Sequence, residues 1–197
     1  EANYGGALYL NGVSSNSSLE NIYFRANRAT MNGGAIDCNA SMMGLNNVLF
    51  EENVAGEYGG ALCREANATG GYGGNNTFIK NHADIGGAAL AWLGVDGINI
   101  NKYRFINNTA DLYGGAIYVR GDSPNCKVRN SYFDNNYIID IRRGHGGAIY
   151  WLGENATILN TTFLNSFANE GGTLYIGGDN ANITKSNFSY SAAFVNG

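Results

Sequence analysis

Residues 105–119 read FINNTADLYGGAIYV, an F-x-x-N phrase followed shortly by GGAI. The same pair occurs in FEENVAGEYGGAL, Phe50 to Leu62, and in FRANRATMNGGAI, Phe24 to Ile36. Extended along the chain, GG pairs begin at residues 5, 33, 59, 86, 114, 146 and 171, with spacings of 28, 26, 27, 28, 32 and 25. A second column, Phe24, Phe50, Phe78, Phe105, Phe133, Phe163 and Phe188, has spacings of 26, 28, 27, 28, 30 and 25. Two independent marks with one period near 27 define an internal repeat.

Other columns follow from the Phe frame. Asn27, Asn53, Asn81, Asn108 and Asn136 stand three residues after their Phe, and Ser166 and Ser191 continue the series. Five residues after each Phe stand Ala29, Ala55, Ala83, Ala110, Ile138, Ala168 and Ala193. Five before it, six of seven positions are aliphatic, and Gly73 is the exception. The apolar runs are three to six residues long and are bounded by Gly and Asn, the pattern of short strands and turns. Helical repeats need longer runs at a 3.6 period. A propeller blade needs roughly 40–50 residues.

The expectation is an all-β chain: a single-stranded parallel β-helix of about seven turns over residues 1–197, right-handed by the usual crossover chirality. Equivalent residues then lie about 4.8 Å apart. Inward Phe rings stack, Asn side chains hand hydrogen bonds along the axis, and Ala fills a tight inner corner. Glycine serves positions of positive φ or close approach.

Composition excludes several classes. Glycine is abundant at 29 residues but has no period of three, so the chain is not collagen. With 44% hydrophobic and 12% aromatic residues it can bury a core, which argues against disorder. A net charge of −4 and no basic run beyond Arg142-Arg143 give no nucleic-acid groove. No apolar run approaches 18 residues, so no membrane insertion is expected in this segment.

The F-x-x-N and GGA[I/L] pairing resembles the repeats of chlamydial polymorphic outer-membrane proteins and of adhesin-like surface proteins of methanogenic archaea. The resemblance runs from Tyr4 to Val195. It implies a large extracellular parallel β-helix. It also implies a structural or adhesive cell-surface role without catalysis, as an adhesin-like stalk or filament subunit.

Nine N-x-S/T triplets occur, against about three expected from 30 Asn and 20 Ser plus Thr. The excess suits a glycosylated extracellular surface, with Asn16, Asn67, Asn107, Asn155, Asn182 and Asn187 as acceptors. Asn75 and Asn160 share a column with Asn21, Asn47 and Asn130, three before the Phe, and are expected to be partly buried. Cys38, Cys63 and Cys126 are an odd number. Cys38 and Cys63 stand five and four residues after the first Gly of their repeats, which points them to opposite faces, as small fillers with free thiols.

β-Helices also host polysaccharide lyases and glycoside hydrolases, the alternative reading. Asp84 and Asp111, each six after its Phe, form the matching carboxylate pair, with His82 alongside. Two solvated turn aspartates are the plainer account, so no catalytic residue, metal ligand or cofactor is assigned. His145 occupies the place of Tyr4, Tyr58 and Tyr113 as another ring beside glycine. The gap from Phe133 to Gly146 is 13 residues against 8 or 9 elsewhere. Its excess is expected to bulge as a knuckle bearing Tyr137, Ile139, Arg142 and Arg143, open to a glycan or protein partner. Neither end shows a capping element, so stacking on itself or on neighbouring β-helix segments is expected.

Overall fold

The computed structural model describes residues 2–12, 17–40, 43–66, 72–95 and 97–197, with backbone only at Tyr72. The described residues form 28 short strands in a parallel β-solenoid, with no helix among them. Each rung crosses four faces. Three faces are continuous seven-stranded sheets, so six rung-to-rung steps separate the first rung from the last. The other face is divided into sheets of three and four strands.

The first face runs from Leu8–Gly12 through Ile36–Ala40, Leu62–Arg64, Leu90–Trp92, Ile117–Val119 and Ile149–Trp151 to Leu174–Ile176. The second is the divided one. It breaks between Tyr72–Gly74 and Asn99–Asn101, where Gly73 interrupts the aliphatic column. The third face carries the phenylalanines, in register from Phe24 to Phe188. The fourth face consists mostly of two-residue strands such as Val54–Ala55, and its Ala83, Ala110, Ile138 and Ala168 form a small second core with Ala88.

Stacking of equivalent residues generates the core. Ring centroids of successive phenylalanines lie 5.2, 4.7, 5.2, 4.5, 4.6 and 4.9 Å apart from Phe24 to Phe188. Phe50 through Phe163 are wholly buried. Beside them runs an asparagine ladder. Asn27, Asn53, Asn81 and Asn108 each send their backbone N–H and Nδ2 to the Oδ1 of the next asparagine, ending on Asn136. The Nδ2 of Asn53, Asn81, Asn108 and Asn136 also reaches the carbonyl of Phe24, Phe50, Phe78 and Phe105, respectively. Four of these amides are fully buried, so every polar atom removed from water is repartnered along the axis.

Three columns of positive φ turn the chain between faces. Asn21, Asn47, Asn75, Lys102, Asn130, Asn160 and Lys185 lie between the second and third faces at φ of 49–61°. Ala26, Glu52, Lys80, Asn107, Asn135, Asn165 and Tyr190 lie between the third and fourth at 52–58°. A glycine column precedes the first face, and Gly59 (φ 67°) is typical. Asparagine tolerates this left-handed region better than most residues, which accounts for much of the Asn richness. Asn75 and Asn160 are exposed, correcting their expected burial, because these corners turn their side chains outward. Asn160 donates to Asn130 and Asn47 to Asn21 along the outside.

One register assignment needs correction. Gly87, not Gly86, carries the positive φ, and Gly86 bridges Tyr58 and Tyr113. In this rung the glycine pair is shifted by one: Gly86 takes the tyrosine place and Ala88 that of the second glycine. The core also holds a cation that the repeat pattern does not announce. Arg64 is the register partner of Cys38 and Trp92 on the inward side. Its Nη1 donates to Met43 O at 3.2 Å, and its guanidinium sits 4.9 Å over Trp92. Burial lowers its pKa.

Two inward-facing side chains of the last rung are exposed, while Leu174 and Ile176 remain half-buried against the core. Ile183 and Phe188 are 42% and 41% accessible, in contrast to their buried counterparts in the rungs before.

Candidate interaction face

The outward side of the first face carries a ribbon of rings. Alternation along each strand sends Tyr118, Tyr150 and Tyr175 outward in one register column. Tyr58, Gly86, Tyr113, His145 and Glu170 form the adjoining column through isolated bridges. Tyr118 and Tyr150 stack at 5.6 Å, Tyr150 and Tyr175 at 4.9 Å, and Tyr113 lies 4.8 Å from Tyr150. His145 lies parallel to Tyr113 at 6.0 Å and contacts Glu170 at 3.1 Å. Tyr58 reaches Tyr118 at 5.1 Å across a place left open by Ala91 and Gly86. A Cβ on Gly86 would meet Tyr113 O at 2.7 Å and come within 3.3 Å of the Tyr118 ring, so glycine leaves room beside both tyrosines.

These rings are half-buried. Burial, reinforced by Tyr58 and Tyr150, pushes the Tyr118 hydroxyl up to about 12. Burial likewise raises Tyr150 and Tyr58, with Tyr175 and Tyr113, respectively, adding to the effect. Tyr58, Tyr118 and Tyr150 therefore stay protonated at physiological pH and present ring surface edged by hydroxyl groups. Such a surface can stack on a sugar ring or take up an apolar protein side chain.

The stacked carboxylates Asp84 and Asp111 do approach each other, with His82 between them. His82 Nε2 lies 3.2 Å from Asp84 Oδ1 and 3.8 Å from Asp111 Oδ1, and the opposite ring nitrogen contacts Thr109 O at 2.9 Å. Burial raises the Asp111 pKa, while His82 opposes the shift. Asp84 is exposed, so water screens much of this group.

The long connection before Gly146 is a tight turn closed on Asp140. Its carboxylate accepts from Arg142 N at 3.0 Å and from Arg143 Nε at 2.8 Å, and the Arg143 contact chiefly lowers its pKa. Ile139 and Ile141 are 51% and 45% exposed at its surface. Tyr137 is not part of this knuckle: it lies in the strand Tyr137–Ile138, and its ring stacks on Phe167 at 4.6 Å.

Of the glycan acceptors, Asn182 and Asn187 are exposed on the last rung, and Asn107 and Asn155 occupy half-exposed positions at positive φ. Asn16 and Asn67 lie outside the described residues. All three cysteines are free and buried. Burial holds the Cys126 thiol up at about 12 and raises Cys63 well above its usual value.

A cluster that the sequence reading did not single out is Asp37, Cys63 and Glu65. Asp37 and Cys63 both stand four residues after the first Gly of their repeats, so the offset that separates Cys63 from Cys38 pairs it with Asp37. Burial first, then the charge of Glu65, pushes the Asp37 carboxyl up to about 8.

Comparison with known proteins agrees with this repeat architecture. Residues 21–39, 47–63 and 103–120 match the Chlamydia polymorphic membrane protein repeat. Each match runs from near an outer corner, through the Phe and Asn ladders, to the first face. The chain is 24% identical over 161 residues to "Probable outer membrane protein pmp21" of Chlamydia pneumoniae, covering 77% of this chain and 9% of that relative. No solved structure matches the chain.

Proposed function

We propose that this chain is a segment of an extracellular cell-surface solenoid whose role is structural and adhesive, and that the tyrosine ribbon is its contact face. The carrying observation is the continuity of the ring contacts on one outward side: Tyr113 and Tyr118, then Tyr150, then Tyr175 occupy three successive rungs, and Tyr58 reaches Tyr118 across the rung of Gly86 and Ala91, which has no ring. A solenoid holds such groups at fixed spacing, which favours a repetitive protein or glycan partner. The relative's printed name, an outer membrane protein, supports the location. Under this reading Asn107, Asn155, Asn182 and Asn187 carry glycans in a host that glycosylates, and the exposed last rung seats neighbouring rungs or a second copy.

The test is adhesion of beads coated with the purified chain to cultured cells and to a glycan array. Replacing Tyr113, Tyr118 and Tyr150 together by Ser should abolish adhesion. Adhesion that survives in a folded variant rejects the ribbon, and no adhesion by the parent chain leaves only the structural role. A screen for sugar release from polysaccharides, with Asp84→Asn and Asp111→Asn as controls, tests the lyase or hydrolase alternative.

A further inference from the structure

Near its first rungs the outward side of the first face carries a group of a different chemistry. Asp37 and Cys63 are register partners on adjacent strands, and Glu65 follows Cys63 by two residues, so all three leave the sheet on the same side. Arg64, between them in sequence, points to the opposite side, toward Met43 and Trp92. A carboxylate oxygen of Asp37, Cys63 Sγ and a carboxylate oxygen of Glu65 all lie within 4.8 Å of one another. The Cys63 Sγ to Glu65 Oε1 distance is 3.7 Å, and Asn32 Nδ2 holds the same oxygen at 2.8 Å.

The second observation is independent of this clustering. Asp37 is wholly buried, yet neither of its carboxylate oxygens makes a hydrogen bond of ordinary geometry, and the side chain facing it is a second carboxylate, Glu65. It lines an open cleft of about 330 Å³ together with Tyr4, Tyr9, Asn32, Asn39 and Glu65. A buried and a half-buried carboxyl group facing each other are costly to ionise together, and a cation between them and the thiol would offset that cost.

We propose that Asp37, Cys63 and Glu65 form a binding site for a thiophilic divalent cation of the Zn²⁺ type, with its fourth position open to the cleft. The ligand set decides the class. Ca²⁺ and Mg²⁺ take oxygen ligands and gain nothing from a thiolate, whereas Zn²⁺ accepts sulfur and carboxylate together. Zn–S near 2.3 Å and Zn–O near 2.0 Å place tetrahedral sulfur and oxygen ligands roughly 3.5 Å apart. The observed 3.7 Å is close to that spacing. Binding requires loss of the Cys63 proton and modest inward rotation of the two carboxylates, with no backbone rearrangement of the sheet. The other clustered group, His82 with Asp84 and Asp111, lacks a thiol, and its Asp84 is exposed, so it serves as the internal control.

The experiment uses the reduced, metal-free chain titrated with Co²⁺ and then Zn²⁺. One equivalent of Co²⁺ should give visible d–d bands and a near-ultraviolet thiolate-to-cobalt charge-transfer band, both displaced by Zn²⁺. Cys63→Ser should remove the charge-transfer band, and both Cys63→Ser and Asp37→Asn should weaken Zn²⁺ binding by roughly tenfold or more. Cys38→Ser, Cys126→Ser and His82→Ala should leave both unchanged. Should Cys63→Ser fail to fold, Asp37→Asn, which removes an anionic ligand oxygen without changing shape, decides the question. A parent chain without the charge-transfer band, or a band that survives Cys63→Ser, overturns the proposal. So does Zn²⁺ affinity unchanged in folded Asp37→Asn.

Discussion

Asn81 gives two hydrogen bonds to one atom of Asn108: its backbone N–H and its Nδ2 reach the same Oδ1, at 3.0 and 2.9 Å. Nδ2 simultaneously donates to Phe50 O at 3.1 Å. The ladder thus has a direction, and an asparagine in it needs both a donor and an acceptor on one side chain. Asn81→Asp keeps the shape and removes the donor, turning two attractive contacts into contacts between oxygens. The expected loss is about 3 kcal/mol or more in chemical denaturation at neutral pH. Asn27→Asp, at the half-buried start of the ladder, should cost clearly less. Equal losses would mean that the ladder's burial does not set its strength.

The phenylalanine column predicts a gradient. Phe105 is fully buried between Phe78 and Phe133, whereas Phe188 is 41% exposed with a ring neighbour on one side only. Phe105→Ala should cost about 3–5 kcal/mol and Phe188→Ala less than half of that. Urea titrations of both variants provide the check, and a reversed order would discount the stack as the main internal support.

The Asp37 carboxyl gives a pH dependence of definite sign. Burial beside Glu65 raises its folded pKa from the ordinary carboxylate range to about 8, so the folded chain resists its ionisation. The associated stability is fully present below the unfolded pKa and is lost as pH rises toward 8. With chelator present, the parent should weaken over that range by up to a few kcal/mol relative to Asp37→Asn. Thermal melts at pH 4 and pH 8 test this. A variant less stable than the parent at pH 8 would contradict it.

Corner residues offer a gain. Ala26 holds φ 54° in a column otherwise occupied by Glu52, Lys80, three asparagines and Tyr190. Ala26→Asn should stabilise by roughly 0.5–1 kcal/mol, because asparagine tolerates the left-handed region better. Gly59→Ala should do the reverse and more: φ is 67° and the new Cβ would meet Leu62 O at 2.5 Å. Paired melting curves decide both.

The period is written in the side chains that must stack, which is why the solenoid is legible from Phe24 to Phe188 in sequence alone. What escapes the pattern is local register. Gly86-Gly87 looks like every other glycine pair, yet the φ requirement falls on the second glycine and the first makes room for Tyr118. Tyr137 reads as part of an inserted loop because length does not say where an insertion begins; the turn starts after Ile138. Arg64 looks like a surface charge at a strand end, and only its pairing with Trp92 places it inside. Of the two columns in the tyrosine ribbon, the one through Tyr58, Tyr113 and His145 is legible beside the glycine pairs, whereas Tyr118, Tyr150 and Tyr175 sit in apolar strands whose outward residues differ in the earlier rungs. The Asp37–Cys63 pair was visible in principle as a shared offset from glycine, but unlike residues in one column do not advertise themselves.

Because each rung bonds only to the ones before and after it, the parallel ladder has a mechanical consequence. Tension applied between Leu8 and Ala192 would load the outermost strand first and peel it away before its neighbour carried any force. Such a rod would yield in a series of small steps, lengthening by one coil at each, and would rewind from whichever coils stayed intact.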